Sequence, residues 1–238
     1  MSVQVVEPKS DAEGCLSEHI YHAFDALYCS LTRAKPVPPT FKDDKYALFI
    51  TWNTVGRRGD HRLRGCIGNF TPMPIREGIA EYALISAFED SRFRPIQRSE
   101  LERLQCVVSL LVDFEDAEDY LDWTVGVHGI HISFQHPFYN ATSNSSSNTP
   151  LSLTPVGRGS NGIAKRKYSA TYLPDVIPDQ GWTKEEAIDS AIRKSGWNGT
   201  ITDDLRRSIH LRRYQSSKKG ALWDEYVQWR ISQGGSMR

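Results

Sequence analysis

One cysteine stands in a setting where thiol chemistry could occur. Cys66 lies in the run "LRGCIG", with Arg64 two residues before it and the glycines Gly65 and Gly68 on either side. A catalytic thiol needs a lowered pKa, which a neighbouring cation, a helix N-terminus or an imidazole can supply. Arg64 and Cys66 point to one face if this run is a strand. Three interpretations stay open: a nucleophile, a part of a binding site, or a small buried residue whose glycine neighbours permit close packing, which we favour.

Charged residues that follow the next predicted helix are further candidates. Asp90 and Arg92 flank Ser91 at the end of that helix, where active-site residues and salt bridges both occur. The planar guanidinium of Arg64 could bind a carboxylate or a phosphate. It could equally form an ion pair with Glu89 or Asp90 that holds two segments together, and this structural role is slightly favoured. The candidate binding residues are Arg64, Gly65, Gly68 and Arg92.

A histidine beside a glycine completes the candidate catalytic set. His128 could act as a base toward Cys66, although a lone histidine is more often a hydrogen-bonded structural residue. His128, His131 and Cys66 could in principle hold a transition metal, but their spacing is not that of a metal site. The four cysteines form no C-x-x-C pair, which disfavours structural zinc. We therefore predict no metal site and assign no cofactor. The candidate catalytic residues are Cys66, His128 and Asp90.

Hydrophobic periodicity predicts the elements that must position these residues. Apolar residues from Cys15 to Leu31 recur at steps of three and four, which indicates an amphipathic helix. The run "YALFITWNT" predicts a buried strand, and "LRGCIGNF" predicts a strand that returns beside it. A helix is predicted from about Pro74 to Phe88. Its buried face is expected to hold Ile75, Ile79, Tyr82 and Ile85.

The second half of the chain continues with short mixed elements. Ser99–Glu102 and Thr183–Glu186 both match a capping box, so each is expected to begin a helical segment. Strands are predicted for "LQCVVSLLVDF", "VGVHGIHISF", "KYSATYLP" and "RRSIHLRRY", and a closing helix for "LWDEYVQWR". Strands and helices alternate irregularly, with no dinucleotide-binding or P-loop motif. This pattern predicts an α+β fold.

Composition predicts one domain with an internal insertion. We expect the domain to span 12–230, with flexible termini at 1–11 and 231–238. The segment 140–166 is dense in Ser, Asn, Thr, Pro and Gly and lacks large apolar groups. Such a segment buries too little surface to offset the entropy of ordering, so it is predicted to be a disordered insertion within the domain.

Net charge, apolar runs and cysteine content limit the partners and the cellular compartments that we expect. The 238 residues include 29 Lys and Arg against 29 Asp and Glu, which gives a formal net charge of zero. A nucleic-acid-binding domain usually has a basic excess, so nucleic acid is disfavoured as a partner. No signal-peptide core and no long apolar run is present, so we expect no membrane association. Few, unpaired cysteines favour a reducing compartment, the cytoplasm or the nucleus or both.

These motifs resemble those of the AMMECR-one family, most closely its eukaryotic members. The six-residue signature of that family is complete at 63–68, and "DSRF" at 90–93, "VGVHGI", "ATYLPDV" and "IDSAIRKSGW" match as well. One departure is Arg94, where relatives tend to have proline. The resemblance implies an α+β fold of mixed sheets and flanking helices, with a larger and a smaller subdomain around a groove near the signature.

The resemblance leaves two classes of function. The family has no firmly assigned activity, and in some bacteria similar domains are fused to a Memo-like domain, which suggests a Memo-like protein as a partner. We favour an intracellular interaction module or a subunit of a larger assembly, because these residues form no complete catalytic constellation. The alternative is an enzyme that acts on a small molecule or a protein modification, with Cys66 in the groove between subdomains.

Overall fold

The computed structural model describes residues 14–136 and 167–237. The predicted disordered insertion at 140–166 and the predicted flexible segment 1–11 lie outside the described residues. The elements in chain order are α1 (Ser17–Thr32), β1 (Lys45–Val55), β2 (His61–Pro74), α2 (Ile75–Phe88), a 3-10 helix (Arg98–Arg103), β3 (Leu104–Asp116), β4 (Gly129–Gln135), β5 (Lys167–Tyr172), α3 (Val176–Gln180), α4 (Lys184–Lys194), α5 (Asp203–Arg207), β6 (His210–Leu222) and α6 (Trp223–Ser232). This mixture of antiparallel strands and helices confirms the predicted α+β fold.

The chain divides into two compact units. The first comprises Met1–Asp113 and Ser216–Arg238, and the second comprises Phe114–Gln215. The long strands β3 and β6 contribute residues to both units. All the signature residues and both charged candidates after α2 belong to the first unit, whereas His128 belongs to the second.

Antiparallel pairing fixes the position of the signature strand in the first unit. The strand order there is β2-β1-β3, so β2 is an edge strand. Thr51 of β1 stands opposite Cys66 of β2, and Trp52 stands opposite Gly65. Alternate residues of β1 (Leu48, Ile50 and Trp52) are fully buried, as expected for a strand with one face on the core.

The helix α1 supplies much of the core of the first unit. Its buried residues fall at the predicted steps of three and four. Phe24 is central: its ring lies 5.1 Å from that of Trp52 and 5.3 Å from that of Tyr226 in α6. Aromatic pairs of this kind add about 0.5–1.5 kcal/mol to the free energy of area burial. The helix ends at Arg33, whose left-handed backbone directs its N–H to the Cys29 carbonyl at 2.8 Å.

The buried face of α2 differs from the prediction. Tyr82 and Ile85 were expected on that face, but both are only half-buried. Small residues take their place: Gly78, Ala83, Ser86 and Ala87 are buried there beside Ile75 and Ile79. The indole Nε1–H of Trp52 donates to the Ala83 carbonyl at 3.0 Å. The second half of the helix therefore approaches β1 and β2 through small side chains, and the Ser86 carbonyl oxygen lies against Gly65.

The second unit has its own sheet and core. Its strands are ordered β6-β4-β5, all antiparallel. The predicted box at Thr183–Glu186 caps α4: the Glu186 N–H donates to Thr183 Oγ1 at 3.3 Å, and the Thr183 N–H donates to Glu186 Oε2 at 2.8 Å. The core residues include Trp123, Ile130, Ile132, Phe134, Ile177, Ile188, Ile192 and Leu211.

The last helix continues past residue 230, where the domain was predicted to end. It extends to Ser232, and the Gly235 N–H donates to the Arg230 carbonyl at 2.9 Å.

No helix within 14–136 and 167–237 has both the length and the apolar character that crossing a membrane requires.

Candidate functional site

The edge position of β2 determines the surroundings of Cys66. On the β1 side, the Thr51 hydroxyl donates to Cys66 Sγ at 3.1 Å. On the open side, the Cys66 N–H donates to Asp90 Oδ2 at 2.9 Å, and Arg92 Nη2 donates to the Cys66 carbonyl at 3.3 Å. Two side chains thus satisfy main-chain groups that a neighbouring strand would otherwise bind.

Asp90 and Arg92 form a bidentate ion pair beside the signature. Arg92 Nε lies 2.9 Å from Asp90 Oδ1, and Arg92 Nη2 lies 2.7 Å from Asp90 Oδ2. The Arg92 main-chain N–H also donates to Asp90 Oδ1 at 3.2 Å. The hydrogen bonds from Arg92 hold the pKa of Asp90 well below its usual range; burial opposes them, and the Cys66 N–H adds to them. Asp90 is therefore a saturated acceptor and remains ionised at neutral pH.

The thiol of Cys66 is protonated at neutral pH. Burial raises its pKa above the ordinary cysteine value, and the Asp90 carboxylate raises it further. The Thr51 hydrogen bond and the charge of Arg92 lower it, but they do not outweigh burial. This is the opposite of what nucleophilic thiol chemistry requires.

Arg64 binds the segment that follows α2. Its Nε lies 2.8 Å from Glu100 Oε1 and its Nη2 3.1 Å from Glu100 Oε2, while Nη1 donates to the Arg94 carbonyl at 2.7 Å. The predicted structural ion pair is thus present, but its partner is Glu100, so the expectation of Glu89 or Asp90 was wrong. Residue 94 contributes only its main-chain carbonyl oxygen to this contact.

Glu100 has a second role that the sequence prediction misplaced. Its Oε2 accepts the Gln97 N–H at 2.8 Å, so the box that starts the 3-10 helix is Gln97–Glu100 and not Ser99–Glu102. Burial acts to raise the pKa of Glu100, but the hydrogen bonds from Arg64 and the Gln97 N–H outweigh it and lower the pKa. The charge on Glu100 is therefore maintained for the Arg64 pair.

A phenylalanine lies between the two arginines. The ring centroid of Phe93 is 5.4 Å from the Arg92 guanidinium carbon and 6.0 Å from that of Arg64. Both distances are within the range of cation–π attraction. We call the two ion pairs, Asp90–Arg92 and Arg64–Glu100, together with Phe93, the signature clasp. It ties β2 to the connection between α2 and β3.

The signature glycines are explained by close main-chain packing. A Cβ at Gly65 would lie 2.1 Å from the Ser86 carbonyl oxygen at the end of α2. A Cβ at Gly68 would lie 2.2 Å from the Leu48 carbonyl oxygen and 2.6 Å from Phe49 Cα. Because the nearest obstacles are main-chain atoms, neither position has room for a side chain.

His128 closes a turn in the second unit. Its N–H donates to the Thr124 carbonyl, and its Nδ1 accepts the Thr124 N–H, both at 2.9 Å. Burial lowers the pKa of His128, the charge of Arg213 lowers it further, and Glu115 and Asp122 oppose them. A neutral ring is what the acceptor role of Nδ1 requires. The adjacent Gly129 leaves room for the ring of Tyr214, which a Cβ there would meet at 2.4 Å.

The metal-ligating residue types do not converge in the part of the chain that is described. Within 14–136 and 167–237, no group of three or more His, Cys, Asp or Glu is arranged to hold a metal ion. The four thiols are free, and burial raises the pKa of each.

Fold and site together define an α+β protein in which an edge strand carrying "LRGCIG" is held by two arginine–carboxylate pairs. The chain belongs to the AMMECR1 family, whose model matches residues 20–219. This confirms the family that the signature motif indicates.

Relatives and a solved structure agree with this assignment. An uncharacterised protein of Arabidopsis thaliana is 44% identical over 212 residues, a match that covers 89% of this chain and 87% of that protein. An uncharacterised protein of Saccharomyces cerevisiae is 32% identical over 244 residues, covering 88% and 87%. The crystal structure of an uncharacterised protein from Pyrococcus horikoshii matches with a TM-score of 0.58 at 22% identity, over 85% of this chain and 89% of that one. The structural similarity concerns the fold alone.

Proposed function

We propose that this chain is a protein-interaction module, or a subunit of a larger assembly, in which the signature strand is structural. The observation that carries the proposal is the signature clasp. Asp90, Arg92 and Arg64 direct their polar groups to main-chain atoms and carboxylates of their own unit. Groups engaged in this way hold segments together, which favours a structural role over substrate binding.

The state of the Cys66 thiol supports the same interpretation. A nucleophile is activated by a base or by a lowered pKa, and burial raises the pKa of Cys66. The candidate base His128 uses Nδ1 to close its own turn. These features favour binding over catalysis, so Cys66 and Asp90 are proposed to be structural residues and not catalytic ones.

The proposal also includes a candidate partner and a cellular location. A Memo-like protein is the candidate partner suggested by the family resemblance, and the proposed location is the cytoplasm, the nucleus or both. The zero formal net charge favours a protein partner over a nucleic acid.

Cross-linking mass spectrometry in cells tests the proposal. The tagged full-length chain is compared with its Cys66→Ser variant, which removes the thiol nucleophile and keeps a polar atom for the Thr51 hydrogen bond. Asp224→Asn, a change on the exposed start of α6, is the matched control. We expect the three chains to cross-link to the same protein partners in similar yield.

Two outcomes would contradict the proposal. One is a covalent adduct on Cys66 in the unmodified chain that accumulates in cells and is absent from the control peptides. The other is a chain that cross-links to no protein above the level of the tag alone. Either result would favour the alternative that this chain is an enzyme.

A further inference from the structure

A cluster of arginines surrounds a cavity at the turn between β1 and β2. The cavity has a volume of about 660 Å³. Arg57, Arg58 and Arg62 come from the turn and the start of β2, and Arg103 comes from the end of the 3-10 helix. The remaining lining residues are Thr54, Val55, Gly56 and Asp60.

The charges in this cavity do not balance. Asp60 is its one acidic lining residue, and it pairs with Arg62 at 3.0 Å. Within 14–136 and 167–237, neither Arg57 nor Arg58 has a carboxylate partner, and both side chains are exposed. The lining therefore contains four arginines and one carboxylate, a formal excess of three positive charges.

This cluster differs from five other arginine sites of the molecule. Arg64, Arg92 and Arg230 each bind a carboxylate of their own unit, and Arg206 and Arg213 each bind two carboxylates of theirs. Guanidinium groups match the geometry of carboxylates and phosphates and bind them by paired hydrogen bonds. Arg57 and Arg58, which have no carboxylate partner within 14–136 and 167–237, therefore have unused capacity for an anion.

The turn holds these arginines on an ordered support. The Gly56 N–H donates to the Asp60 carbonyl at 2.8 Å, and the Gly59 N–H donates to the Gly56 carbonyl at 2.9 Å. Asp60 folds over Gly56, where a Cβ would lie 2.1 Å from Asp60 Oδ1. A fixed turn lowers the entropy that Arg57 and Arg58 lose when a ligand binds.

The residues that line the cavity indicate the class of anion. At Asp90 and Glu100 a single arginine forms the bidentate contact with a carboxylate, whereas several arginines around one cavity suit a phosphate dianion with three acceptor oxygens. The lining contains no aromatic ring on which a base could stack, which disfavours a nucleotide or single-stranded nucleic acid.

We propose that the arginine cavity binds a phosphorylated side chain on an exposed peptide segment of a partner protein. The proposal rests on the proposed function as an interaction module and names the chemistry of the partner. The exposed position of the turn gives a peptide chain room to approach. Phosphorylation of the partner would then control its binding.

Fluorescence anisotropy with the full-length chain tests this proposal. The probes are a degenerate peptide library with a central phosphoserine, the same library with serine, and the library with glutamate. Inorganic phosphate and a single-stranded oligonucleotide serve as competitors. We expect the phosphoserine library to bind about tenfold or more tightly than the serine library, which corresponds to one charge-assisted pair.

Variants locate the binding to the cavity. Arg57→Gln with Arg58→Gln should weaken phosphopeptide binding by about tenfold or more, because two unpaired guanidinium groups are lost. Arg207→Gln is the matched control, since that arginine is exposed in the second unit and pairs with Asp204. Circular dichroism confirms that all three chains are folded.

The other results of these measurements would each contradict the proposal for a different reason. Equal binding of the serine and phosphoserine libraries, or no effect of the Arg57/Arg58 change, removes the phosphate site. Inorganic phosphate that binds as tightly as the peptide indicates a free-phosphate site, and a tighter oligonucleotide indicates nucleic acid. If the cross-linked partners persist in cells with the Arg57/Arg58 variant, this inference fails while the interaction module stands.

Discussion

Two arginine–carboxylate pairs in the first unit use the same groups in different surroundings. Asp25 and Arg230 lie in the core, where both side chains are 2% exposed. In the signature clasp, Asp90 is 6% exposed but its partner Arg92 is 55% exposed. The comparison separates a pair that is part of the core from a pair that closes the edge of a sheet.

The core pair is surrounded by further hydrogen bonds. Asp25 Oδ1 accepts the Tyr226 hydroxyl at 2.9 Å, and Asp25 Oδ2 accepts the Val37 N–H at 2.8 Å. Arg230 Nη2 donates to the Lys35 carbonyl at 2.9 Å. Burying two charges is costly unless every polar group is bonded, and this network supplies those bonds. The pair therefore joins α6 to α1 within the core.

The clasp pair depends on main-chain groups instead. Its carboxylate and guanidinium bind the N–H and the carbonyl of Cys66, and one side of the guanidinium stays in water. Removing one partner of a partly solvated ion pair costs less free energy than removing one partner of a buried pair, because water reaches the remaining charge. Its main effect is to occupy an edge of β2 that would otherwise be open to pairing.

The largest effect is expected when the core pair is broken. Asp25→Ala leaves the Arg230 guanidinium buried without its carboxylate, which typically costs about 3–5 kcal/mol. Urea unfolding followed by circular dichroism should show this decrease in the free energy of unfolding. Asp25→Leu combined with Arg230→Met removes both charges and should recover part of the loss. A cost below about 1 kcal/mol, the value of a surface pair, would erase the contrast between the two pairs.

A large effect is also expected where the signature meets α2. Gly65→Ala places a methyl group against the Ser86 carbonyl oxygen, and overpacking of this kind costs about 3 kcal/mol. Gly59→Ala is the control, because nothing lies within 4 Å of its Cβ and only its left-handed backbone, φ +78°, opposes the change. That substitution should cost about 1 kcal/mol. Equal shifts in thermal midpoint would contradict the close approach of β2 and α2.

Asp90→Asn tests the clasp through its pH dependence. The pKa of Asp90 is depressed in the folded state, so its contribution to stability is fully present above the unfolded pKa of about 3.9 and is lost as the pH falls further. The variant should lose about 1–2 kcal/mol at neutral pH and lack that part of the acid dependence. Unfolding free energies at neutral pH and near pH 3 measure this.

The control for that experiment is Asp60→Asn. Asp60 pairs with Arg62 at the surface, where the two side chains are 45% and 82% exposed. Breaking this pair should therefore change the free energy of unfolding very little. If Asp90→Asn kept the acid dependence of the unmodified chain, the carboxylate would not support the Cys66 main chain as described.

The smallest effect is expected from a conservative change at Arg64. Arg64→Lys keeps the charge but loses the bidentate contact with Glu100 and the bond to the Arg94 carbonyl, at a cost of about 0.5–1 kcal/mol. The matched control Arg62→Lys should have no measurable effect, since that side chain is exposed. Chemical unfolding resolves this difference, and equal stability of the two variants would show that the fork geometry of Arg64 contributes nothing.

The sequence predicted features whose signals are local. The helix α1 followed from its apolar spacing, and the Thr183–Glu186 box caps α4 because a threonine hydroxyl precedes the helix directly. The box near Glu100 was misplaced, because its N-cap Gln97 is not among the residues that usually take that position. The family and the α+β class followed from the motif and from the irregular alternation of elements.

The clasp was beyond the reach of local patterns. Glu100 is 36 residues from Arg64 in the chain, and the contacts of Asp90 with Cys66 are to main-chain atoms that no side-chain pattern indicates. The buried face of α2 was predicted by hydrophobicity, but close approach to Gly65 selects small residues over Tyr82 and Ile85. Sequence spacing cannot show which helix face lies against a glycine.

The reactivity of Cys66 tests the central claim most directly. The native chain is labelled with a small alkylating agent at a series of pH values, and the modified peptides are quantified by mass spectrometry against the unfolded chain. We expect Cys66 to label far more slowly in the native state at neutral pH and to react only at alkaline pH, because burial raises the pKa of its thiol. Rapid labelling with an apparent pKa below the free value of about 8.5, lost in Arg92→Gln, would contradict a structural signature and indicate a catalytic thiol.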